Sequence, residues 1–101
     1  VLHNDSLALE VWEQTALLGN PQHGCELHSV DFASVARACG LKAFRLQDPA
    51  DAAEVFQQAM GEPGPCLVEA VTDPYEAPFG ESLKPAHAQH IAEAFGKGEK
   101  A

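Results

Sequence analysis

Basic residues are scarce in this chain. Its 101 residues include 6 lysines and arginines against 15 aspartates and glutamates, which gives a formal net charge of −9. Proteins that bind nucleic acids neutralise phosphates with clustered lysine and arginine side chains, whereas the basic residues here are scattered along the chain. We therefore expect no nucleic-acid partner, and contact with an anionic membrane is not indicated.

Cysteines and long apolar runs are also few. Three cysteines, an odd number, do not suit a framework of paired disulfides, and they favour a reducing, cytoplasmic location. No segment approaches the ~20 apolar residues of a membrane-spanning helix. No basic segment followed by an apolar one opens the chain, as it would in a signal peptide. The remaining composition, 46% hydrophobic and 21% charged, is typical of one small globular domain.

Apolar runs alternate with turn residues along the chain. Strands are predicted at Cys66–Val71, which is nearly continuously apolar, at Leu41–Leu46, and at the strand end Val1–His3. Helices are predicted at 7–18, after the capping residues Asp31 and Asp48, and at 85–95. Strands that alternate with helices predict an α/β fold, a three-layer α/β/α arrangement with a parallel sheet.

The apolar positions of these elements predict the core. Residues expected to be buried are Leu2, Val35, Phe44, Val55, Phe56, Leu67, Val68 and Ile91. Cys39 and Cys66 fall on apolar faces and are predicted to pack inside the protein. Cys25 falls in a predicted loop and is the cysteine expected to be accessible.

A polar cluster follows the first strand end, at His3, Asn4, Asp5 and Ser6. In open α/β sheets, ligands bind outside the carboxyl ends of the strands. An asparagine side-chain oxygen and a backbone carbonyl are hard donors that suit Mg²⁺ or Ca²⁺. The same residue types also cap helices, so the residues alone leave a metal site and a helix cap as alternatives.

A second cluster runs from His23 to His28 and contains Cys25. Structural zinc requires four ligands, usually in paired cysteine or histidine spacings. One cysteine flanked by two histidines falls short of that number, so an ordinary loop is the favoured interpretation.

An ordered series of short motifs resembles the thiamine-diphosphate enzymes of the pyruvate oxidase and acetolactate synthase family. The motifs are Leu2-His3-Asn4-Asp5-Ser6-Leu7-Ala8-Leu9, Trp12-Glu13-Gln14, Gly19-Asn20-Pro21, Gly24-Cys25-Glu26-Leu27, Asp31-Phe32-Ala33, Ala38-Cys39-Gly40, Pro63-Gly64-Pro65 and Val68-Glu69-Ala70. The resemblance covers essentially the whole chain. It implies that residues 1–101 are the C-terminal half of a diphosphate-binding domain.

The resemblance implies a cofactor and a metal. In this family, Mg²⁺ bridges the protein and the diphosphate, and Asn4 matches the position that supplies a side-chain oxygen ligand. Ser6 matches the position that supplies a backbone carbonyl. Cofactor contacts are expected from Asn4, Ser6, Leu7, Ala8 and Leu9. The sequence departs from the family at two positions: His3 replaces an asparagine, and Ala8 replaces a frequent glycine.

Two further implications concern catalysis. A glutamate near the position of Glu10 takes part in proton transfer in the related decarboxylases, whereas a solvent-exposed helix residue is the alternative interpretation of Glu10. The Gly-Asp-Gly start of the cofactor motif would precede Val1. The glutamate that activates the cofactor would lie in another domain, in a partner subunit. We therefore expect a fragment that is inactive alone, with residues 96–101 as a frayed tail.

Two classes of function follow. The resemblance implies an intact enzyme that acts on a 2-keto acid such as pyruvate, of the pyruvate oxidase or quinone-linked pyruvate dehydrogenase type. Such an enzyme would be a homodimer or homotetramer that uses thiamine diphosphate, Mg²⁺ and, in the oxidases, FAD. An acetolactate-synthase-like or decarboxylase member is the alternative within the family. A non-catalytic acidic α/β module that binds a partner protein is the alternative of another class.

Overall fold

The computed structural model describes residues 1–78 and 83–100. The strands are β1 (Leu2–His3), β2 (Lys42–Leu46) and β3 (Cys66–Val71). The α-helices are α1 (Ala8–Trp12), α2 (Phe32–Ala38), α3 (Ala52–Gly61) and α4 (Pro85–Gly96). A π-helix (Glu13–Leu17) follows α1, and a 3-10 turn (Pro49–Asp51) precedes α3. The chain divides into two compact units, residues 1–4 with 28–73 and residues 5–27 with 74–101.

The first unit is built on a parallel sheet with the strand order β1-β3-β2. The central strand β3 pairs in parallel with both neighbours, and Ala70 aligns with Leu2 on one side and Leu46 on the other. The run of apolar residues in β3 is typical of a strand that is covered on both faces. The predicted parallel sheet is therefore confirmed, with β2 beginning one residue later than expected.

Helices α2 and α3 cover opposite faces of this sheet. Ala33 of α2 belongs to a core cluster with Ala43 of β2, and Leu67 of β3 packs against that cluster. On the α3 side, the thiol of Cys66 donates to the carbonyl oxygen of Ala59 at 3.4 Å. Because successive side chains of a strand point to opposite faces, these contacts establish three layers. The predicted α/β/α class is confirmed.

Local capping chemistry sets where α2 and the 3-10 turn before α3 begin. The carboxylate of Asp31 accepts hydrogen bonds from the backbone N–H of Ser34 at 2.9 Å and from its hydroxyl at 2.8 Å. These two hydrogen bonds lower the pKa of Asp31 below its ordinary value of 3.8. Asp48 accepts from the Ala50 N–H at 2.9 Å. Both caps were predicted, because a capping residue acts on its own neighbours.

The predicted core was wrong at three of its eight positions. Leu2 is 81% exposed, and Val35 and Phe56 are about half exposed. The other five predicted residues are partly buried, and Leu67 packs against the core cluster. Apart from Leu46, the buried apolar side chains of the described residues are small ones: Ala16, Cys25, Ala33, Ala36, Ala43, Ala59 and Ala94. Small side chains are buried where a helix lies close against a strand or another helix. The larger apolar side chains project beyond these contacts and remain partly exposed.

The second unit packs the π-helix against α4. Ala16 and Ala94 are both fully buried, and the ring Nδ1 of His90 lies 3.1 Å from the carbonyl oxygen of Ala16. A continuous α-helix over residues 7–18 was expected. Within the π-helix, the hydroxyl of Thr15 donates to the carbonyl of Val11 at 2.8 Å, a bond of the kind that often bends helices. The helix widens to π geometry just there.

The end of the second unit is tied to the loop after the π-helix. The ammonium group of Lys97 donates to the carbonyl oxygen of Gly19 at 2.8 Å, and Gly19 itself adopts a positive φ of 64°. Residue 101 of the predicted tail lies outside the described residues, as do residues 79–82. Within the described part of the chain, no helix is long and apolar enough to cross a membrane.

Candidate functional site

The predicted metal-binding residues lie directly after β1. His3 is buried at the end of the strand, and Asn4 is half-buried. Asp5 follows with φ of +54°, the one positive φ of a non-glycine residue in the described part of the chain. Such backbone conformations are uncommon for non-glycine residues and cluster at functional sites. The turn at Asp5 redirects the backbone between Asn4 and Ser6.

An antiparallel bridge then holds Ser6 opposite Glu26. The N–H of Leu7 donates to the Cys25 carbonyl, and the N–H of Leu27 donates to the Asp5 carbonyl, both at 2.8 Å. In such a pair, the backbone groups of the residue between the two bonds point away from the partner segment. The backbone carbonyl of Ser6 therefore points away from residues 25–27.

The polar cluster lies just before the next helix. Helix α1 begins at Ala8, with Leu7 in the N-cap position. Asn4 therefore lies three residues before the N-cap position. Leu7, Leu9 and Glu10 are exposed and Ala8 is half-buried; of the predicted cofactor contacts, Leu7, Ala8 and Leu9 lie at the start of α1.

Glu69 is the chemically important residue that sequence reasoning missed. It is fully buried in β3, and its Oε1 lies 2.6 Å from Nδ1 of His3. Its Oε2 accepts the backbone N–H of Ala33 at 2.8 Å, and the guanidinium of Arg45 lies 3.8 Å from Oε1. The sequence did contain a signal for Glu69, because it is the single carboxylate within the apolar run Cys66–Val71. A buried carboxylate is expected to require a hydrogen-bonding or charged partner.

Two opposing effects act on the pKa of Glu69. Burial alone raises it, but the hydrogen bonds from Ala33 and His3 and the positive charge of Arg45 together outweigh burial. The pKa of Glu69 is therefore lower than its ordinary value of 4.5. Because an ionised carboxylate only accepts hydrogen bonds, Nδ1 of His3 carries the proton and donates it.

The donor chemistry of the Asn4–Ser6 segment fits part of a Mg²⁺ site. Mg²⁺ prefers oxygen ligands and keeps several from water or bound phosphates. Asn4 offers a side-chain amide oxygen and Ser6 a backbone carbonyl. Among residues 1–78 and 83–100, no group of three or more histidine, cysteine, aspartate or glutamate side chains could hold a metal ion.

The loop from His23 to His28 has a different role from the zinc site considered above. The side chain of Gln14 donates to the carbonyl of His23 at 3.3 Å and accepts the backbone N–H of His23 at 2.6 Å. It also lies 3.5 Å from the Cys25 sulfur. Cys25 is buried beside the Gln14 side chain, and Cys39 is exposed at the end of α2, which is the reverse of what was predicted.

Comparison with known families decides the broad assignment. The family described as "Thiamine pyrophosphate enzyme, C-terminal TPP binding domain" matches residues 1–70. The chain belongs to this family. The match includes the Asn4–Ser6 segment, the start of α1, and Glu69. Thiamine pyrophosphate is thiamine diphosphate, so the family agrees with the cofactor that the motif series implied.

A curated relative gives the same assignment. The chain is 28% identical over 71 residues to "Putative thiamine pyrophosphate-containing protein YdaP" of Bacillus subtilis (strain 168). This alignment covers 70% of the chain and 12% of the relative. The chain thus spans about an eighth of that relative's length. No solved structure matches the chain significantly.

Proposed function

We propose that this chain supplies part of the Mg²⁺–diphosphate site of a thiamine-diphosphate-dependent enzyme that acts on a 2-keto acid such as pyruvate. The observation that carries the proposal is the segment after β1. It lies within the family match, it follows directly after the parallel strand β1, and it contains two hard oxygen donors. Ligands of open α/β sheets bind at that end.

Each residue of the segment has a proposed role. The side-chain oxygen of Asn4 and the backbone carbonyl of Ser6 would bind Mg²⁺. Leu7, Ala8 and Leu9 would line the diphosphate at the start of α1. When bound, thiamine diphosphate would supply the electron-accepting group on which decarboxylation depends. The protein's contribution is to hold the diphosphate and the metal in a fixed position.

The finer assignment is to the pyruvate oxidase or quinone-linked pyruvate dehydrogenase type. It is supported by the motif Gly19-Asn20-Pro21 and by Gly24-Cys25-Glu26-Leu27, whose loop Gln14 holds in place. An enzyme of this type would pass electrons through FAD. It would be a cytoplasmic homodimer or homotetramer, with the cofactor-activating glutamate on a second subunit. Acetolactate-synthase-like carboligation is the alternative reaction.

Glu10 is the proposed catalytic residue of the chain. It lies exposed in the first turn of α1, next to the residues that would line the diphosphate. A positioned carboxyl group that transfers a proton typically contributes about 10²–10⁴-fold to a rate. Its proposed role is to move a proton to or from the reacting substrate.

The experiment is a titration of thiamine diphosphate into the full-length protein that carries this chain, in Mg²⁺ and in EDTA. We expect binding in Mg²⁺ and at least about tenfold weaker binding in EDTA, as for loss of a metal site. Pyruvate turnover is then compared in wild-type protein and Glu10→Gln. A lower kcat with unchanged cofactor affinity supports the role of Glu10. Metal-independent cofactor binding contradicts the proposed site, and an unchanged kcat contradicts the role of Glu10.

A further inference from the structure

Glu69 occupies the centre of the first unit. It lies on the middle strand β3, is fully buried, and contacts three other elements. Its carboxylate binds the ring of His3 at the end of β1, the backbone N–H of Ala33 in the first turn of α2, and, more distantly, the guanidinium of Arg45 on β2. Each carboxylate oxygen thus has a different partner, and the two close contacts fix its orientation.

Stability alone does not explain a carboxylate at this position. Burying a charge is costly, and replacing a buried ion pair by well-packed apolar residues is often neutral or stabilising. The neighbouring positions of β3 are apolar, namely Leu67 and Val68 before Glu69 and Ala70 and Val71 after it. A valine or leucine at position 69 would continue this pattern. The carboxylate provides directed hydrogen bonds, which an apolar residue does not.

One of the hydrogen bonds of Glu69 is made with His3, which is the residue that precedes Asn4. The ring of His3 is held on one side by Glu69 at 2.6 Å, and it meets the ring of Phe32 edge-on, with the ring centres 5.1 Å apart. Both contacts restrict the orientation of His3. Because His3 and Asn4 share a peptide bond, fixing the end of β1 also fixes the backbone from which the Asn4 side chain projects.

We propose that Glu69 is a positioning residue for the metal-binding segment. It holds His3, and through His3 it sets the position of the Asn4 side-chain oxygen. This inference rests on the proposed function, since it assigns Glu69 a part in the Mg²⁺ site. Glu69 itself binds neither the metal nor the cofactor, because its two oxygens are directed at His3 and Ala33.

The test measures Mg²⁺ affinity by calorimetry in the full-length protein at saturating thiamine diphosphate. Glu69→Gln removes the charge and leaves one oxygen for two N–H donors. Loss of a residue that orients a metal ligand typically costs about 10–100-fold in metal affinity, so we expect a loss of about tenfold. Glu54→Gln is the matched control, because Glu54 is exposed on α3, where its carboxylate accepts a hydrogen bond from Gln58. Its Mg²⁺ affinity should remain within about twofold of wild type.

A double variant separates positioning from a general structural role. If Glu69 acts through Asn4, adding Glu69→Gln to Asn4→Ala should weaken Mg²⁺ binding little further, because coupled residues are not additive. If Glu69 only stabilises the fold, its effect should be the same with and without Asn4. Glu69→Asp keeps the charge but shortens the side chain. If Glu69→Gln does not fold, Glu69→Asp takes its place in the comparison of single and double variants. An intermediate loss is expected for Glu69→Asp.

The outcomes distinguish the two proposals. A loss of affinity in Asn4→Ala with none in folded Glu69→Gln or Glu69→Asp overturns the positioning role and leaves the metal site standing. Additive losses also overturn it. Unchanged affinity in Asn4→Ala overturns the metal site, and the positioning role with it. Non-additive losses, with Glu54→Gln unchanged, support both.

Discussion

At the scale of single residues, the ion pair of Glu69 links the fold to pH. Glu69 is held ionised because its hydrogen bonds and the charge of Arg45 lower its pKa below 4.5 in spite of burial. A carboxyl whose folded pKa is lowered contributes stability above its unfolded pKa, and that contribution is lost as the pH falls through the folded value. The contribution of Glu69 should therefore be complete near neutral pH and lost in acid.

The prediction compares thermal unfolding of wild-type protein and Glu69→Gln between pH 7 and pH 3. The wild-type protein should be the more stable near neutral pH, by about 3 kcal/mol if breaking this pair resembles other buried pairs. The difference should shrink as the pH falls below about 4.5, the ordinary pKa. A difference that stays constant down to pH 3 would show that the carboxylate charge does not contribute.

The residues of the site were predictable in part. Asn4 and Ser6 could be proposed from the sequence because motif position and donor chemistry both depend on local residues. Glu69 was missed because its importance comes from His3, which is 66 positions away in the chain. Hydrogen bonds between distant residues depend on strand order, and strand order was not predicted beyond the placement of β1 beside the other strands.

At the scale of elements, the side chain of Gln14 fixes the loop that follows the π-helix. It bonds to His23 through both its oxygen and its nitrogen, and it lies against the buried Cys25. Gln14→Ala should release this loop and expose the Cys25 thiol. Labelling with a thiol reagent, followed by mass spectrometry, gives the rate at each cysteine.

In wild-type protein, the exposed Cys39 should react quickly and the buried Cys25 slowly. In Gln14→Ala, Cys25 should react at least about tenfold faster, because local opening then costs about 1.4 kcal/mol less. Gln58→Ala is the control, since Gln58 makes a single exposed hydrogen bond to Glu54 on α3. Slow labelling of Cys25 in Gln14→Ala would contradict the role of Gln14.

The elements also show where sequence patterns suffice. Asp31, Asp48 and the apolar run of β3 were interpreted correctly because each acts on adjacent residues. The π-helix was not predicted. It occurs together with a hydrogen bond from the Thr15 hydroxyl to the Val11 carbonyl, and the apolar spacing of the sequence does not indicate that bond. The core was predicted only in part, because apolar character alone does not show which side chains a neighbouring element will cover.

At the scale of the whole molecule, large apolar side chains remain uncovered. On α3, Phe56 is 50% exposed and Met60, one turn later, is 85% exposed, and Leu2 on β1 is 81% exposed. Exposed apolar patches mark interfaces or sites of aggregation. We therefore expect the 101-residue chain to associate in solution.

Sedimentation at several concentrations tests this expectation. The chain should sediment as a species larger than a monomer, and Met60→Lys should shift the distribution towards monomer because it places a charge on the apolar surface. Lys42→Gln, on β2, serves as a control for a change of charge by one unit. A stable monomer at all concentrations would contradict the association, and an unchanged distribution for Met60→Lys would exclude the α3 surface.

The central claim is that Asn4 binds Mg²⁺ through its side chain and Ser6 through its backbone carbonyl. Calorimetric titration of Mg²⁺ into the full-length protein at saturating thiamine diphosphate tests it most directly. Asn4→Ala should lose more than about tenfold in Mg²⁺ affinity. Loss of a residue that only orients a metal ligand already costs about tenfold, and loss of the ligand itself should cost more. Ser6→Ala should change little, because its carbonyl remains, and Asn20→Ala controls for the loss of a loop asparagine. Wild-type affinity in Asn4→Ala, or an equal large loss in Ser6→Ala, would contradict the assignment of the ligand atoms.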